Sequence, residues 1–273
     1  MFVRGGFGEL RFGDVDGPEE ALKVGAYSVA VGTGGLDGEI VGSQALVENG
    51  NVAIDDATKI VYYTPTLAGF QAGLAYAPDE ISSGDDIKTT DDFFAEDVVS
   101  GGLAYTDVFG DLALKASVVG RWGRFDKKPL VTNVDEVWTI YGGLAANYGR
   151  FGLGLGKSQD GTVRNARGFE RTYYNVGVSA QFDRFAVSFN YGYAEFETRG
   201  GFENAVNVPG SKQGVHDFIL GVEVGLLPGV SASFELEYWN PTNKEDGGGL
   251  GLLDRGNFGD DAILGVARLA VAF

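Results

Sequence analysis

The sequence predicts an all-β fold, a transmembrane antiparallel β-barrel. Three observations carry this. Apolar residues alternate with small polar ones at period two, the connections alternate between short and long, and aromatic residues bracket the apolar faces. Composition is compatible. The 273 residues are 44 % hydrophobic and 12 % aromatic, too apolar for disorder, and the 44 glycines follow no collagen-like three-residue period.

The elements follow in order. Phe2–Gly5 reads as the end of one strand and 8–13 as the next. A long connection, 14–58, comes after, and Glu19–Lys23 with Pro18 at the first helical position is its predicted helical turn. Strands are then predicted at 59–65, 69–77, 98–106, 111–121, 136–148, 151–158, 171–182, 185–196, 216–226, 230–239 and 262–273, twelve in all with the fragment as a thirteenth. The run Phe185, Val187, Phe189, Tyr191, Tyr193 against Ala186, Ser188, Asn190, Gly192 shows the pattern, and Val230–Tyr238 repeats it. The short connections are Leu67–Gly69, Asp107–Gly110, Gly149–Arg150, Asp183–Arg184 and Leu227–Gly229. The long ones are 14–58, 78–97, 122–135, 159–170, 197–215 and 240–261. A spanning barrel sorts its loops this way, tight turns at one end and long loops at the other. A soluble sandwich has no reason to.

The apolar face meets lipid. On 136–148, Trp138 and Tyr148 bracket Ile140, Leu144 and Ala146. Ten residues at about 3.3 Å each, tilted near 45°, give roughly 23 Å of height, the depth of a barrel's apolar band between its aromatic girdles. Trp138, Leu144, Phe189, Phe234 and Leu236 are therefore predicted to face lipid, and Ser188, Asn190, Ser233 and Glu235 the interior. No window of 18 apolar residues exists, so no helix spans, and Met1–Gly6 lacks the charged-then-apolar pattern of a signal peptide.

Charge and residue counts exclude several functions. With no Cys there is no thiolate metal site, disulfide or Cys nucleophile, and with one His there is no multi-His site. A net charge of −17 argues against nucleic acid. The stretches 14–57, 79–97 and 240–261 hold 22 acids against four bases, Lys23, Lys88, Lys244 and Arg255, an excess that accounts for the net charge of the whole chain. Asp79, Glu80, Asp85, Asp86, Asp91 and Asp92 are candidate ligands for a divalent cation, Ca or Mg; the plainer alternative is an acidic, soluble loop. No other cofactor is expected.

By parity, Glu9, Arg11, Lys115, Arg121, Glu223, Glu235, Glu237 and Arg268 fall on the small-residue face. A lipid-facing charge near mid-bilayer costs roughly 2–4 kcal/mol, so eight charges imply a water-filled lumen. Catalysis finds no support. Gly152–Ser158 fails the phosphate-loop pattern because Phe151 stands where a Gly is required, Gly247–Gly251 occurs once rather than as a repeat, and His216 has no nucleophile elbow.

Four segments together resemble the Gram-negative general diffusion porins: Phe2–Gly13, Lys59–Pro65 with Leu67–Phe70, the hairpin rhythm from 98 to 239, and terminal Phe273. The resemblance implies a porin-type barrel of 16 strands in a homotrimer in the Gram-negative outer membrane, passing small hydrophilic solutes and ions, with Phe273 as the assembly signal. It treats 1–273 as one barrel domain with 14–58 as the constriction loop. Counting back from Phe273 makes 8–13 the fifth strand, so three strands, most of a fourth and any signal peptide are expected upstream. The competing expectation is that Gly8–Asp14 pairs with Ala262–Phe273 and closes a twelve-strand barrel. The resemblance also places Asp37 and Glu39 on the loop opposite a basic wall led by Arg11. Tyr62 stands among the pore-lining positions, where related porins often carry Arg. The expected function is a passive channel, mildly cation-preferring. An adhesin or surface scaffold acting through acidic loops is the alternative, and the direction taken by 14–58 separates the two.

Overall fold

The structure, a computed structural model, describes residues 1–32, 57–79, 95–124, 136–163, 169–198, 212–242 and 261–271. They form one antiparallel meander of thirteen strands in sequence order. These are β1 (Phe2–Gly5), β2 (Gly8–Asp14), β3 (Thr58–Tyr63), β4 (Phe70–Asp79), β5 (Glu96–Phe109), β6 (Leu112–Arg124), β7 (Glu136–Tyr148), β8 (Phe151–Val163), β9 (Phe169–Phe182), β10 (Phe185–Thr198), β11 (Lys212–Leu227), β12 (Val230–Pro241) and β13 (Ala262–Val271). Helix is confined, among the described residues, to α1 (Pro18–Ala21) and a 3₁₀ turn at Ala26–Val29. Pro18 begins α1 as the sequence predicts, because a residue without N–H loses nothing at a helix start. The 3₁₀ turn carries no comparable sequence signal.

The strands run several residues further toward the long-loop end than the alternation predicts, since β5, β6, β8 and β9 all continue past their clean apolar stretches. Their partners supply hydrogen bonds there, and pairing rather than hydrophobicity sets the limit. The short connections all lie at one end. Two-residue turns join β7 to β8 and β9 to β10, with Gly149 at φ 58° and Asp183 at φ 53°, the left-handed backbone that matches the twist of a hairpin. Register is unbroken from β6 through β10. Asp97, with φ 49°, marks a bulge between β5 and β6. Among the described residues β1 pairs only with β2, and β13 only with β12. The neighbours of β2 are β1 and β3, so direct pairing of Gly8–Asp14 with the last strand is not formed.

The two faces separate cleanly. Phe189, Phe234 and Leu236 are 45, 50 and 39 % exposed, while their neighbours Asn190 and Glu235 are 0 and 1 % exposed. Leu144 shares the outer face, and Ser188 is buried on the inner one. Trp138 and Ser233 are half-buried on the faces expected of them. Aromatic residues crowd the outer face at both ends of the strands. Trp122 stands opposite Trp138, and Tyr148 opposite Phe151. Tyr191, Tyr193 and Phe218 pack around His216, and Tyr238 stacks on Phe218. An apolar outer face with aromatic girdles is the wall of an outer-membrane barrel.

Candidate functional site: the inner wall and the segment that crosses it

Residues 15–32 leave β2 at the long-loop end and turn onto the concave face of the sheet. They cross it strand by strand. Tyr63 Oη on β3 donates to the carbonyl of Asp16 at 3.4 Å. Pro18 lies over β4 and β5, the backbone of Val24 over β6 and β7, that of Gly25–Ala26 over β8 and β9, and Val31 over β10 and β11. At the far side Gly32 sits against Glu235 of β12, and its carbonyl accepts from Arg268 Nη1 of β13 at 3.3 Å.

The wall accepts the segment because side chains are missing where it lies. Gly73, Gly102, Gly143, Gly154, Gly177 and Gly221 face inward on β4, β5, β7, β8, β9 and β11. A Cβ on Gly73 would sit 2.5 Å from Pro18 Cβ, and one on Gly154 2.5 Å from the carbonyl oxygen of Gly25. On Gly143 it would overlap the carbonyl of Val24 outright. Between the glycines stand three short polar side chains. Ser117 Oγ accepts from Val24 N at 2.9 Å, Asn175 Oδ1 from Ala26 N at 3.1 Å, and Ser188 Oγ from Val31 N at 3.0 Å. A segment without sheet partners needs its buried N–H groups satisfied, and these three do so. Within the segment Lys23 Nζ pairs with Glu20 at 2.6 Å, its side chain fully buried, and lies over the Tyr27 ring.

Charge on the inner wall is paired and distributed. Near the start, Glu9 takes the guanidinium of Arg4 and, at 2.6 Å, Nε of Arg11, which lies 4.9 Å from the Tyr63 ring centre. On β8 and β9, Asp160 accepts from Arg171 Nε at 2.7 Å, and Arg171 lies over Tyr173. The parity-assigned residues Glu9, Arg11, Lys115, Arg121, Glu223, Glu235, Glu237 and Arg268 all share this face. They do not share one environment. Lys115 and Arg268 are exposed, Arg11, Arg121 and Glu223 half-buried, and Glu9, Glu235 and Glu237 buried. Buried charges sit at 9 % exposure or less for Asp79, Glu96, Asp160 and Asp217 as well. Sequence parity finds the face but not which charges the crossing segment and the neighbouring strands enclose.

One pore-lining expectation is corrected. Tyr62 points outward, 38 % exposed, with its hydroxyl donating to the carbonyl of Phe7 at 2.6 Å. Glu9 stands opposite Tyr63 and Arg11 opposite Val61, which puts Lys59, Val61 and Tyr63 inside and Ile60 and Tyr62 outside. The inward tyrosine of this strand is Tyr63. Asp37, Glu39, Glu80, Asp85, Asp86, Asp91, Asp92 and Phe273 lie outside the described residues. Of the acidic stretch, Asp79 is described, buried on the inner face beside Glu96. Among the described residues no group of three His, Cys, Asp or Glu could hold a metal ion.

The parity reading puts Ser188 and Glu235 on the inner face but assigns no residue the role of seating the segment. The available signal was the size of the inward residues: Gly152, Gly154 and Gly156 alternate on β8, and Ser, Asn and Gly recur at inward positions on its neighbours.

Comparisons with known proteins agree with this architecture. The profile of the Gram-negative porin family matches residues 1–238. An uncharacterized protein of Rickettsia bellii is 22 % identical, aligned over 89 % of this chain and 70 % of its own length. OmpT, an outer membrane protein of Vibrio cholerae, superposes with a TM-score of 0.55 at 17 % identity, covering 99 % of this chain and 74 % of that one. An anion-selective porin from Comamonas acidovorans gives 0.55 at 18 % identity, over 90 % of this chain and 68 % of that one.

Proposed function

The chain belongs to the Gram-negative porin family, and from that premise we propose that it forms a water-filled channel for passive diffusion of small hydrophilic solutes and ions. Its place is the Gram-negative outer membrane. The observation that carries the proposal is the path of residues 15–32: the segment lies inside the wall, seated on the glycines, rather than projecting from the long-loop end. That path supports a channel narrowed from within over a surface scaffold. The function is transport down a gradient rather than catalysis. Opposed charges across the lumen would order water and sort permeants by charge and polarity.

The finer properties belong to the same proposal. The acidic excess at the long-loop stretches and the inward Glu223, Glu235 and Glu237 support a mild preference for cations, since an acidic mouth concentrates them within about 10 Å at 0.1 M salt. A structural neighbour of this fold is anion-selective, so wall charge rather than architecture would set the sign. The assembly is a homotrimer in contact with lipopolysaccharide.

Planar-bilayer recording tests this. The protein should give discrete conductance steps, and replacing Gly17–Gly32 by a short flexible linker should raise conductance severalfold. Steps that the replacement leaves unchanged would overturn the constriction, and a protein that inserts but never conducts would overturn the channel. Under a salt gradient the reversal potential should show cation preference, reduced by Glu235→Gln with Glu237→Gln. An anion preference would assign control to Arg11, Lys115, Arg121 and Arg268 instead.

A further inference from the structure

On the short-turn side of the crossing segment the inner wall holds a polar hollow of about 210 Å³. One side of it is the segment itself, from Ser28 to Val31, and the other is the wall of β7–β10 with the Gly149–Arg150 turn. Its polar lining comes from two rows of the wall. Asn147, Gly152 and Ser179 stand side by side on β7, β8 and β9, and Gln181 follows Ser179 on the inward face, nearer the turns. Gly152 lets the first row converge. A Cβ there would collide with Ser179 Oγ and lie 2.8 Å from Asn147 Oδ1 and 3.1 Å from Val29 Cβ. The floor is held at the turn, where Gln181 N donates to the carbonyl of Arg150 at 2.9 Å. On the segment, Ser28 Oγ accepts from Gly25 N at 3.1 Å, which fixes the oxygen and leaves its O–H to donate. Ser117, Asn175 and Ser188 are engaged with the segment's backbone. Asn147, Ser179 and Gln181 make no side-chain hydrogen bond among the described residues.

We propose that this hollow is a binding subsite for a small uncharged polyhydroxyl solute, one sugar ring, met on the short-turn side of the narrowing. The inference rests on the channel reading and adds a solute class to it. Two amides and two hydroxyls offer both donors and acceptors, and a sugar hydroxyl is itself both. An anion could use only the donors. A cation would find no carboxylate in the lining and Arg150 at the rim. Val29 and Ala186 supply apolar surface between the polar groups, which suits the C–H face of a sugar ring. The volume is below the roughly 300–1,000 Å³ of clefts that hold drug-sized ligands, so one ring fits and a chain does not. Affinity should be weak, because Asn147 and Gln181 are exposed and water competes for each hydrogen bond. Weak binding is what a diffusion path requires, since a permeant must be able to leave.

Binding to the full natural protein folded in detergent is read by saturation-transfer NMR. D-glucose is the probe, and D-glucuronate, the same ring with a carboxylate, is its charged counterpart. Saturable transfer to glucose, weaker to glucuronate, is the expected result. Asn147→Leu and Gln181→Leu keep size and remove the polar atoms, and each should weaken glucose binding about fivefold, the worth of one neutral hydrogen bond. Ser158→Ala, inward on β8 but on the long-loop side of the segment, should leave binding unchanged. Folding is checked by heat-modifiable mobility in gels, and either leucine variant carries the test where the other does not fold. Transfer that does not saturate, equal binding by the folded leucine variants, or the same loss in Ser158→Ala would overturn the proposal. So would tighter binding of glucuronate, because that would give the hollow to Arg150 and an anion. Bilayer recording of the same preparation keeps the two readings apart. Conductance steps without glucose binding remove the subsite alone, and binding without steps leaves the site and removes the channel.

Discussion

On β5 two glycines stand side by side and face opposite ways. Gly102 looks inward, where a Cβ would lie 3.2 Å from the carbonyl of Pro18 and 2.8 Å from Val119 Cγ1; Gly101 looks outward, into a shallow dip under Trp122. The same residue type does two jobs because the two faces meet different things. Inside, the missing side chain is occupied by the chain's own segment and stitched by Ser117, Asn175 and Ser188. Outside, it is open to hydrocarbon. A glycine on a barrel strand is thus a statement about what touches that face, and the direction of the residue decides the meaning.

The largest expected effect breaks the distinction between faces. Phe234→Arg puts a charge on the outer face midway between the ends of β12 and should cost about 2–4 kcal/mol of folding free energy in bilayers. Ser233→Arg, one residue away and inward, should cost little. Urea titration of insertion into vesicles measures both, and equal costs would show that Phe234 does not face lipid.

Next comes the seat itself. Gly143→Leu drives a side chain into the carbonyl of Val24, and overpacking of this kind typically costs about 1–3 kcal/mol. Because the segment can lift away, part of this cost should be relieved by displacement, read as higher single-channel conductance together with a lower unfolding midpoint. Unchanged conductance and midpoint would place the segment elsewhere. A smaller effect is expected from Ser188→Ala, which leaves Val31 N without its acceptor, at about 1 kcal/mol with conductance noise increased. Smallest is Gly101→Ala on the outer face, within about 0.5 kcal/mol by the same titration, since its Cβ meets only ordinary or slightly tight contacts. A loss as large as that of Gly143→Leu would erase the contrast between the faces.

Much of this molecule was legible without coordinates. Alternation is a local property: in a strand, successive side chains must point to opposite sides, so Phe189 and Asn190 declare their faces as soon as one side is known to be apolar. Turns such as Gly149–Arg150 and the helix start at Pro18 are local for the same reason, set by backbone torsions of one or two residues. On β3 the local signal fails. Ile60 and Tyr62 are as apolar as Val61 and Tyr63, so neither face announces itself, and only the pairing with Glu9 and Arg11 turns Tyr62 outward. The crossing segment lies further still from sequence-level reading. Val24 meets Ser117 across 93 positions, Ala26 meets Asn175 across 149, and Val31 meets Ser188 across 157. Such contacts have no period and no motif. They exist because curvature of the sheet brings eleven strands around one short stretch of chain, and each inward glycine takes its meaning from a backbone that arrives from elsewhere. The residues by themselves determined strands, faces and turns; tertiary structure alone decided which inward gaps the chain's own segment fills and which gaps, inward or outward, stay open.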